Sequence, residues 1–317
     1  MSPPEPAPWA ARVVLGTWGI SGSVGTDTGP AGYPDVPAAE VDAVLDTAYA
    51  AGVRWIDTAP AYGGGAGMRR VADWQRRRVL RWHVVVKPGR PPGPAGPRSE
   101  IDLASIRAEL ARQPLLEPAA VLVKDPPAAA FRDGTLLRLI GQLYADGHPV
   151  VGLATHRLDL IAQLGPPPVP DAVVQLEYHL LNRMVAGPAA RSAAAAGWRV
   201  WGMQPLAYGF LGGRHHAGTT FGPDDWRSRM PIAVRRAFDA GVRGLRSWLP
   251  ACAVDRPPAE VALAWCLAAP ALDRVVVGPR RVAHLDTLDG AWWLATDPEF
   301  VDFVTAFGNP VAGPAAG

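Results

Sequence analysis

Eight short apolar runs recur along the chain, and segments with a helical spacing of apolar residues separate most of them. A helix between two strands returns the chain to the start of the sheet, so repeated units of this kind make the strands parallel. Eight units in about 300 residues are typical of a closed (β/α)8 barrel, the TIM barrel, and the alternative is an open, doubly wound sheet. The predicted strands lie in 11–19, 53–59, 82–87, 119–124, 149–155, 172–178, 198–204 and 273–278.

Helical patterns fill the stretches between these strands. Residues 36–52 and 131–147 carry apolar residues at helical spacing and end in glycine. Residues 99–113 begin with serine and an acidic first turn, which is typical of a helix start. The Pro- and Gly-rich segment 88–98 cannot be helical, and we expect a long loop there that covers the mouth of the barrel.

A single domain accounts for the whole pattern. No Pro- or Gly-rich linker separates two halves with different patterns. We therefore predict one barrel domain over residues 11–308, with a loose N-terminal tail at 1–10 and a flexible C-terminal tail at 309–317.

Composition argues against several classes of protein. The formal net charge of +2 is small for 317 residues, and no basic stripe predicts nucleic-acid binding. Two cysteines supply neither a disulfide framework nor a cysteine-rich metal site, so no metal is predicted. The chain lacks a secretion signal and any run of about 18 apolar residues. We expect a cytoplasmic monomer or small homo-oligomer that binds a small molecule and no membrane.

Lysine is rare in this chain and its placement is informative. The 31 Lys and Arg residues include only two lysines, Lys87 and Lys124, and each ends a predicted strand. In a TIM barrel the chemistry belongs to the carboxyl ends of the strands and the loops after them. Asp57 lies near the end of the predicted strand 53–59, and Tyr62 lies in the following loop, five residues after Asp57. Because arginine cannot give up a proton, a retained lysine favours a site that needs a compact amine.

These stretches resemble the aldo-keto reductase superfamily, in the order in which that family has them. The resemblance implies a (β/α)8 barrel that binds NADPH and reduces an aldehyde or ketone. It implies Tyr62 as the proton donor to the carbonyl oxygen, with Lys87 and Asp57 as its supporting pair. The matching stretches are "LGTWG" (15–19), "GVRWIDTAPAYGGG" (52–65), "VVVKPG" (84–89), "VLVKDPP" (121–127), "VVQLEYHLLNR" (173–183), "PLAYGFLGG" (205–213) and "PPAEVALAWCLAAP" (257–270).

The implied roles agree with elementary acid–base chemistry. A phenol alone is a sluggish acid at neutral pH, and a neighbouring ammonium makes proton transfer easier because it favours the phenolate. Asp57 would keep the Lys87 ammonium charged and oriented. Read without the family pattern, Tyr62 is a loop aromatic, and Asp57 and Lys87 form an ordinary ion pair.

Lys124 stands where the family usually has a catalytic histidine. Three interpretations are open. Lys124 polarises the carbonyl as a charged substitute for histidine, or it acts as a base or amine nucleophile in a different reaction. In the third, its side chain turns away to a substrate acid or to Asp125.

The positions implied for cofactor binding depart furthest from the family. The usual Ser-Asn pair for the nicotinamide carboxamide is Ala154-Thr155, while the usual glutamine is kept. A methionine replaces the common stacking aromatic, and Leu288 replaces an asparagine that commonly contacts adenine. Arginines before a helix start suit a phosphate. The candidate cofactor residues are Thr155, Gln175, Met203, Gln204, Leu206, Gly278, Arg280, Arg281 and His284.

Three aromatic residues are candidates for the substrate pocket, namely Trp18, Tyr178 and Trp201, although core packing also explains a single tryptophan. The first functional hypothesis is an NADPH-dependent carbonyl reductase. The second is a lyase, dehydratase, isomerase or cyclase of a biosynthetic pathway that needs no nicotinamide and uses Tyr62, Lys87 and Lys124 for proton transfer. The third is a non-catalytic nucleotide-sensing subunit. The presence of the implied catalytic residues Asp57, Tyr62 and Lys87 argues against this third hypothesis.

Overall fold

Ten strands form in the part of the chain that the structure describes. The structure, a computed structural model, describes residues 5–89, 102–112 and 116–307. All eight predicted strands are present among the ten. The strands are β1 (Val13–Gly16), β2 (Ser23–Thr26), β3 (Gly29–Gly32), β4 (Trp55–Thr58), β5 (His83–Val86), β6 (Pro118–Lys124), β7 (Val150–Thr155), β8 (Val173–Glu177), β9 (Arg199–Met203) and β10 (Arg274–Val277).

Eight of these strands close into a parallel barrel. Around the ring they run β1, β10, β9, β8, β7, β6, β5 and β4, and β4 pairs with β1 again. This confirms the TIM barrel and excludes the open sheet. Side chains fill the interior, because branched aliphatic residues such as Val14, Val85 and Leu122 pack there with the larger Trp201 and Met203.

The helices cover the outside of the barrel. A second, larger apolar cluster lies between them and the outer faces of the strands. Within the described residues, no helix combines the length and apolar character needed to cross a membrane. The α-helices are α1 (Ala38–Ala50), α2 (Ala66–Arg78), α3 (Leu103–Ala111), α4 (Ala128–Arg132), α5 (Thr135–Ala145), α6 (Leu158–Ile161), α7 (Arg183–Ala195), α8 (Ile232–Leu245), α9 (Pro258–Ala268), α10 (Ala283–Ala295) and α11 (Pro298–Phe307).

The strand register brings the predicted chemistry to one rim. Asp57 pairs with Gly16 at the end of β1, and Lys124 pairs with Ala154 near the end of β7. Lys87 directly follows β5. Since parallel strands end on the same side of a barrel, these residues lie on its carboxyl face, as the strand ends predicted.

Local details differ from the expectations. The hairpin of β2 and β3 was not predicted, because its glycine-rich sequence has no apolar alternation; Arg229 hydrogen-bonds to its loop carbonyls. Helix α3 begins at Leu103 and is capped by Asp102, whose carboxylate accepts from the backbone N–H of Ser105 at 2.7 Å. Most of the predicted loop 88–98 lies outside the described residues, as do 99–101.

The predicted tails lie only partly within the described residues. Residues 308–317 and 1–4 are outside them. Trp9, in the predicted N-terminal tail, is buried, and its indole N–H donates to Asp289 at 2.7 Å. Ordered contacts with the barrel therefore begin before residue 11, and the remaining division into one domain and two tails stays a prediction.

Candidate active site

A buried ion pair stands at the carboxyl rim. Nζ of Lys87 lies 2.7 Å from Oδ1 of Asp57, and the two side chains are 3% and 2% exposed. Burial alone would lower the pKa of Lys87, but Asp57 and the Tyr62 hydroxyl outweigh burial and raise that pKa above its ordinary value. Lys87 is therefore an ammonium at neutral pH.

The amide of Gln175 closes this pair into a ring. Its Oε1 accepts a hydrogen bond from Nζ of Lys87 at 2.9 Å, and its Nε2 donates to Oδ2 of Asp57 at 2.9 Å. Gln175 is fully buried. Both polar atoms of the amide are thus engaged within the protein.

Tyr62 is held beside Lys87 by an unusual turn. It begins the short helical turn Tyr62–Gly65 after β4, and Nζ of Lys87 lies 5.3 Å from the centre of its ring. Gly63 has a φ of 55°, and a Cβ there would lie 1.9 Å from the carbonyl oxygen of Ser21. Only glycine fits at this position, so the sequence "YGGG" is a backbone requirement of the turn that carries Tyr62.

A cavity of about 540 Å³ contains Asp57, Tyr62 and Lys87 in its lining. Trp18 also lines it and stacks on Tyr62, with the ring centres 6.2 Å apart. Tyr33 meets Trp18 edge to face at 5.0 Å. The cavity therefore combines an acid–base group with an apolar aromatic wall, which is typical of a small-molecule site.

Three arginines also line the cavity, Arg214, Arg280 and Arg281, together with His284. The Arg280 guanidinium lies over the ring of Tyr33, 5.5 Å from its centre. Arg280 donates to the carbonyls of Gly19 and Pro34 at 2.9 and 3.0 Å. Burial, followed by the charges of Arg214 and Arg281, lowers the pKa of His284. Positive charge already predominates around this histidine, so the region suits an anion such as a phosphate.

Comparison with protein families decides the assignment of the chain. The model of the aldo/keto reductase family matches residues 150–308, about half of the sequence. The chain belongs to the aldo/keto reductase family. The resemblance noted in the sequence is thereby confirmed.

Two solved structures share the fold of this chain. The glycerol dehydrogenase AKR11B4 from Gluconobacter oxydans is 22% identical, with a TM-score of 0.65 over 96% of this chain and 94% of that chain. The aldo-keto reductase AKR11C1 from Bacillus halodurans, in its holo form, is 17% identical, with a TM-score of 0.65 over 96% and 93%. These likenesses show the fold alone. No curated protein matches the sequence significantly.

The cavity brings together most of the residues predicted to bind the cofactor. Those in its lining are Met203, Gln204, Leu206, Gly278, Arg280, Arg281 and His284. Thr155 and Gln175 are not among the lining residues. Thr155 is fully buried, and its hydroxyl accepts from the backbone N–H of Arg157 at 3.0 Å. Both side chains that the resemblance assigns to the carboxamide make internal hydrogen bonds in this chain.

The amine of Lys124 is paired with the neighbouring residue Asp125. Its Nζ lies 3.1 Å from Oδ2 of Asp125, whose Oδ1 is 3.1 Å from Nδ1 of His156. Asp125 has a φ of 44°, and its N–H donates to the carbonyl of Ala154 at 2.7 Å. This left-handed turn brings the carboxylate of Asp125 within reach of Lys124. The described residues that line the cavity do not include Lys124, which agrees with the third interpretation of this lysine.

Trp18 is the predicted pocket aromatic that reaches the cavity; Tyr178 and Trp201 do not line it. Trp201 precedes Met203 by two residues on β9 and therefore points into the barrel further from the carboxyl face. Its ring packs against Trp55, with the ring centres 5.5 Å apart. Tyr178 follows β8 on the opposite face and packs in the outer apolar cluster. Both residues are core side chains, which corrects their assignment to a substrate pocket.

Other lining residues were missed in the sequence. Arg214 directly follows the matching stretch "PLAYGFLGG", so its position was a usable signal. Tyr33 and the buried ion pair of Asp225 and Arg227, at 2.6 Å, also reach the cavity. They come from the unpredicted hairpin and from the long connection before α8, where no local pattern indicates a contact with the barrel.

Proposed function

We propose that this protein is an NADPH-dependent carbonyl reductase that transfers a hydride to an aldehyde or ketone while Tyr62 donates the proton. The observation that carries the proposal is the group formed by Tyr62, Lys87 and Asp57 at the edge of an aromatic-walled cavity. A phenol beside a permanent ammonium is a suitable general acid for a carbonyl oxygen.

Each residue of this group has a defined task. Tyr62 gives its hydroxyl proton to the developing alkoxide. The Lys87 ammonium stabilises the phenolate left on Tyr62, and Asp57 keeps that ammonium charged in its buried position. Asp57 and Lys87 are buried, and the low local dielectric strengthens the interaction between them.

Residues in the cavity lining fit the cofactor. Arg214 and Arg281 would hold a phosphate, since their charges already disfavour protonation of His284. Met203 offers an apolar surface that suits a nicotinamide ring. NADPH, when bound, supplies the hydride. The carboxamide end fits less well, since Thr155 and Gln175 make internal hydrogen bonds.

The substrate side of the cavity favours a small carbonyl compound with an apolar or aromatic body. Trp18 and Tyr33 form a wall beside Tyr62, so an apolar group could pack there while its carbonyl oxygen faces the phenol. The protein would work in the cytoplasm on such a small molecule, as a monomer or small homo-oligomer.

Titration with NADPH and with NADH tests the proposal. We expect saturable NADPH binding by calorimetry, and oxidation of NADPH, followed by its near-ultraviolet absorbance, when a carbonyl substrate is added. Absence of binding together with unchanged absorbance over a broad panel of aldehydes and ketones would contradict the proposal.

A reaction without nicotinamide is the second candidate. It is favoured by the internal hydrogen bonds of Thr155 and Gln175, which remove two expected cofactor contacts. Tyr62 and Lys87 would then transfer protons in a lyase, dehydratase, isomerase or cyclase. Turnover of a substrate in carefully dialysed protein with no nicotinamide added would favour this candidate over the first.

A further inference from the structure

Gln175 lies deeper in the barrel than the cavity, and its surroundings do not suit a cofactor contact. It is fully buried, and it pairs across strands with Trp201, which packs in the barrel interior. Family resemblance implies that this glutamine holds the nicotinamide carboxamide. In this chain its amide faces Asp57 and Lys87 instead.

The amide of Gln175 offers its oxygen to the ammonium of Lys87 and its N–H to the carboxylate of Asp57. Lys87 donates one N–H to Oδ1 of Asp57 at 2.7 Å and another to Oε1 of Gln175 at 2.9 Å. Gln175 returns an N–H to Oδ2 of Asp57 at 2.9 Å. An ammonium has three N–H groups, so one remains. Tyr62, with its ring centre 5.3 Å from Nζ, is the neighbour available to that third N–H.

We infer that Gln175 is a positioning residue: by bridging Asp57 and Lys87, it fixes the rotation of the Lys87 ammonium so that the remaining N–H faces the hydroxyl of Tyr62. This inference rests on the proposed role of Tyr62 as the proton donor. Without the amide, the ammonium is held at one point by Asp57 and rotates among several orientations. Proton transfer at Tyr62 then loses a fixed partner.

Electrostatics supports the same role. The titratable groups that face Lys87 are Asp57, from β4, and Tyr62, from the turn after it, while Gln175 on β8 is neutral. Burial opposes the charge on Lys87, and its partners overcome that effect. A neutral amide that accepts from the ammonium and donates to the carboxylate stabilises both charges without changing the net charge of the buried group.

The scarcity of lysine makes a direct test possible. Lys87 and Lys124 are the two lysines of the chain, so isotope-labelled lysine gives two side-chain signals in a nuclear magnetic resonance spectrum. The variant Lys124→Arg assigns them. We would compare wild type with Gln175→Met, which keeps the length of the side chain but removes its hydrogen bonds. Gln75→Met is the matched control, because Gln75 is also buried and accepts from the backbone N–H of Trp82 at 2.7 Å, outside the barrel.

In Gln175→Met we expect the Lys87 signal to shift and to titrate at lower pH than in wild type, while Gln75→Met leaves it unchanged. We also expect kcat to fall about tenfold or more, the loss typical of a hydrogen bond to a charged group, with the Kd for NADPH within about threefold. An unchanged Lys87 signal with a Kd about tenfold higher would overturn the inference and make Gln175 a cofactor contact.

A second variant covers the case in which Gln175→Met does not fold. In Gln175→Glu the neutral carboxyl still accepts and donates, so the Lys87 signal should resemble wild type at low pH and depart from it as the new carboxyl ionises. A Lys87 signal that ignores this ionisation would count against positioning. If wild type reduces no carbonyl compound, the proposed function fails, and the lysine signals still decide whether Gln175 orients Lys87.

Discussion

Nζ of Lys124 lies 3.1 Å from Oδ2 of Asp125, so the second lysine of the chain is paired with the carboxylate that follows it. This pairing matters because the family resemblance implies that Lys124 stands where a catalytic histidine is usual. His156 approaches the other oxygen of Asp125 from the end of the next strand, which makes Asp125 the centre of a small charged cluster.

Removal of the Lys124 charge should therefore have little effect on the reaction. We expect Lys124→Met to keep kcat for carbonyl reduction within about threefold of wild type and to lower the free energy of unfolding by about 1 kcal/mol or less, as for a partly exposed ion pair. Steady-state kinetics and urea unfolding measure the two effects. Lys124→Arg keeps the charge and serves as the control. A loss of kcat by about a hundredfold in Lys124→Met would show that its amine takes part in the chemistry.

Tyr62→Phe should abolish proton donation without disturbing the cavity. We expect kcat to fall by about a hundredfold or more, since a positioned general acid contributes about that much, while the Kd for NADPH changes little. Rapid kinetics and calorimetry report the two quantities. Tyr144→Phe is the control, because Tyr144 is 42% exposed on α5. Equal activity of Tyr62→Phe and wild type would revive the non-catalytic nucleotide-sensing hypothesis.

Arg281→Met should weaken the binding of NADPH more than that of NADH. The side chain lines the cavity, and its charge contributes to the lowered pKa of His284. We expect the Kd for NADPH to rise about tenfold, the loss typical of one charge-assisted hydrogen bond, and its dependence on salt to become weaker. Fluorescence titration measures both. The exposed Arg236 on α8 provides the control variant Arg236→Met. Unchanged NADPH affinity in Arg281→Met would show that Arg281 does not bind the phosphate.

Stability should depend on pH through two half-buried carboxyl groups, those of Asp125 and Glu177. Burial would raise the pKa of Asp125, but His156 and Lys124 lower it below its ordinary value of 3.8; for Glu177, His179 overcomes burial and lowers the pKa below 4.5. The folded protein thus binds fewer protons than the unfolded chain at low pH. The stabilisation is present above these ordinary values and is lost as the pH falls below them.

The variant Asp125→Asn isolates one of these groups. We expect its free energy of unfolding to decline less steeply than that of wild type between pH about 5 and about 2, as measured by urea unfolding. Asp255→Asn, which removes an exposed carboxylate on the surface, should keep the wild-type slope. Identical slopes for wild type and Asp125→Asn would mean that the charged cluster around Asp125 does not form in solution.

The local pattern of the chain was sufficient to predict the barrel and to place Asp57, Lys87 and Lys124 on its carboxyl face. A strand between two packed layers is buried on both faces, so it is written as a nearly continuous apolar run such as 149–155. A run of this kind is recognisable from a few consecutive residues. The order of strands then requires Asp57, Lys87 and Lys124 to end on one face. The Gly63 turn that carries Tyr62 can also be read locally, since φ near 55° selects glycine.

Only the tertiary structure decided which residues the side chains at the carboxyl face and in the barrel interior contact. The sequence left several partners open for Lys124, and in the structure its amine pairs with Asp125, whose backbone is left-handed. Gln175 and Trp201 both point into the barrel, yet their neighbours come from strands far away in the sequence. Strand periodicity determines the face on which a side chain lies. Its rotamer, its depth and its partners depend on packing between distant segments, which no local pattern of residues records.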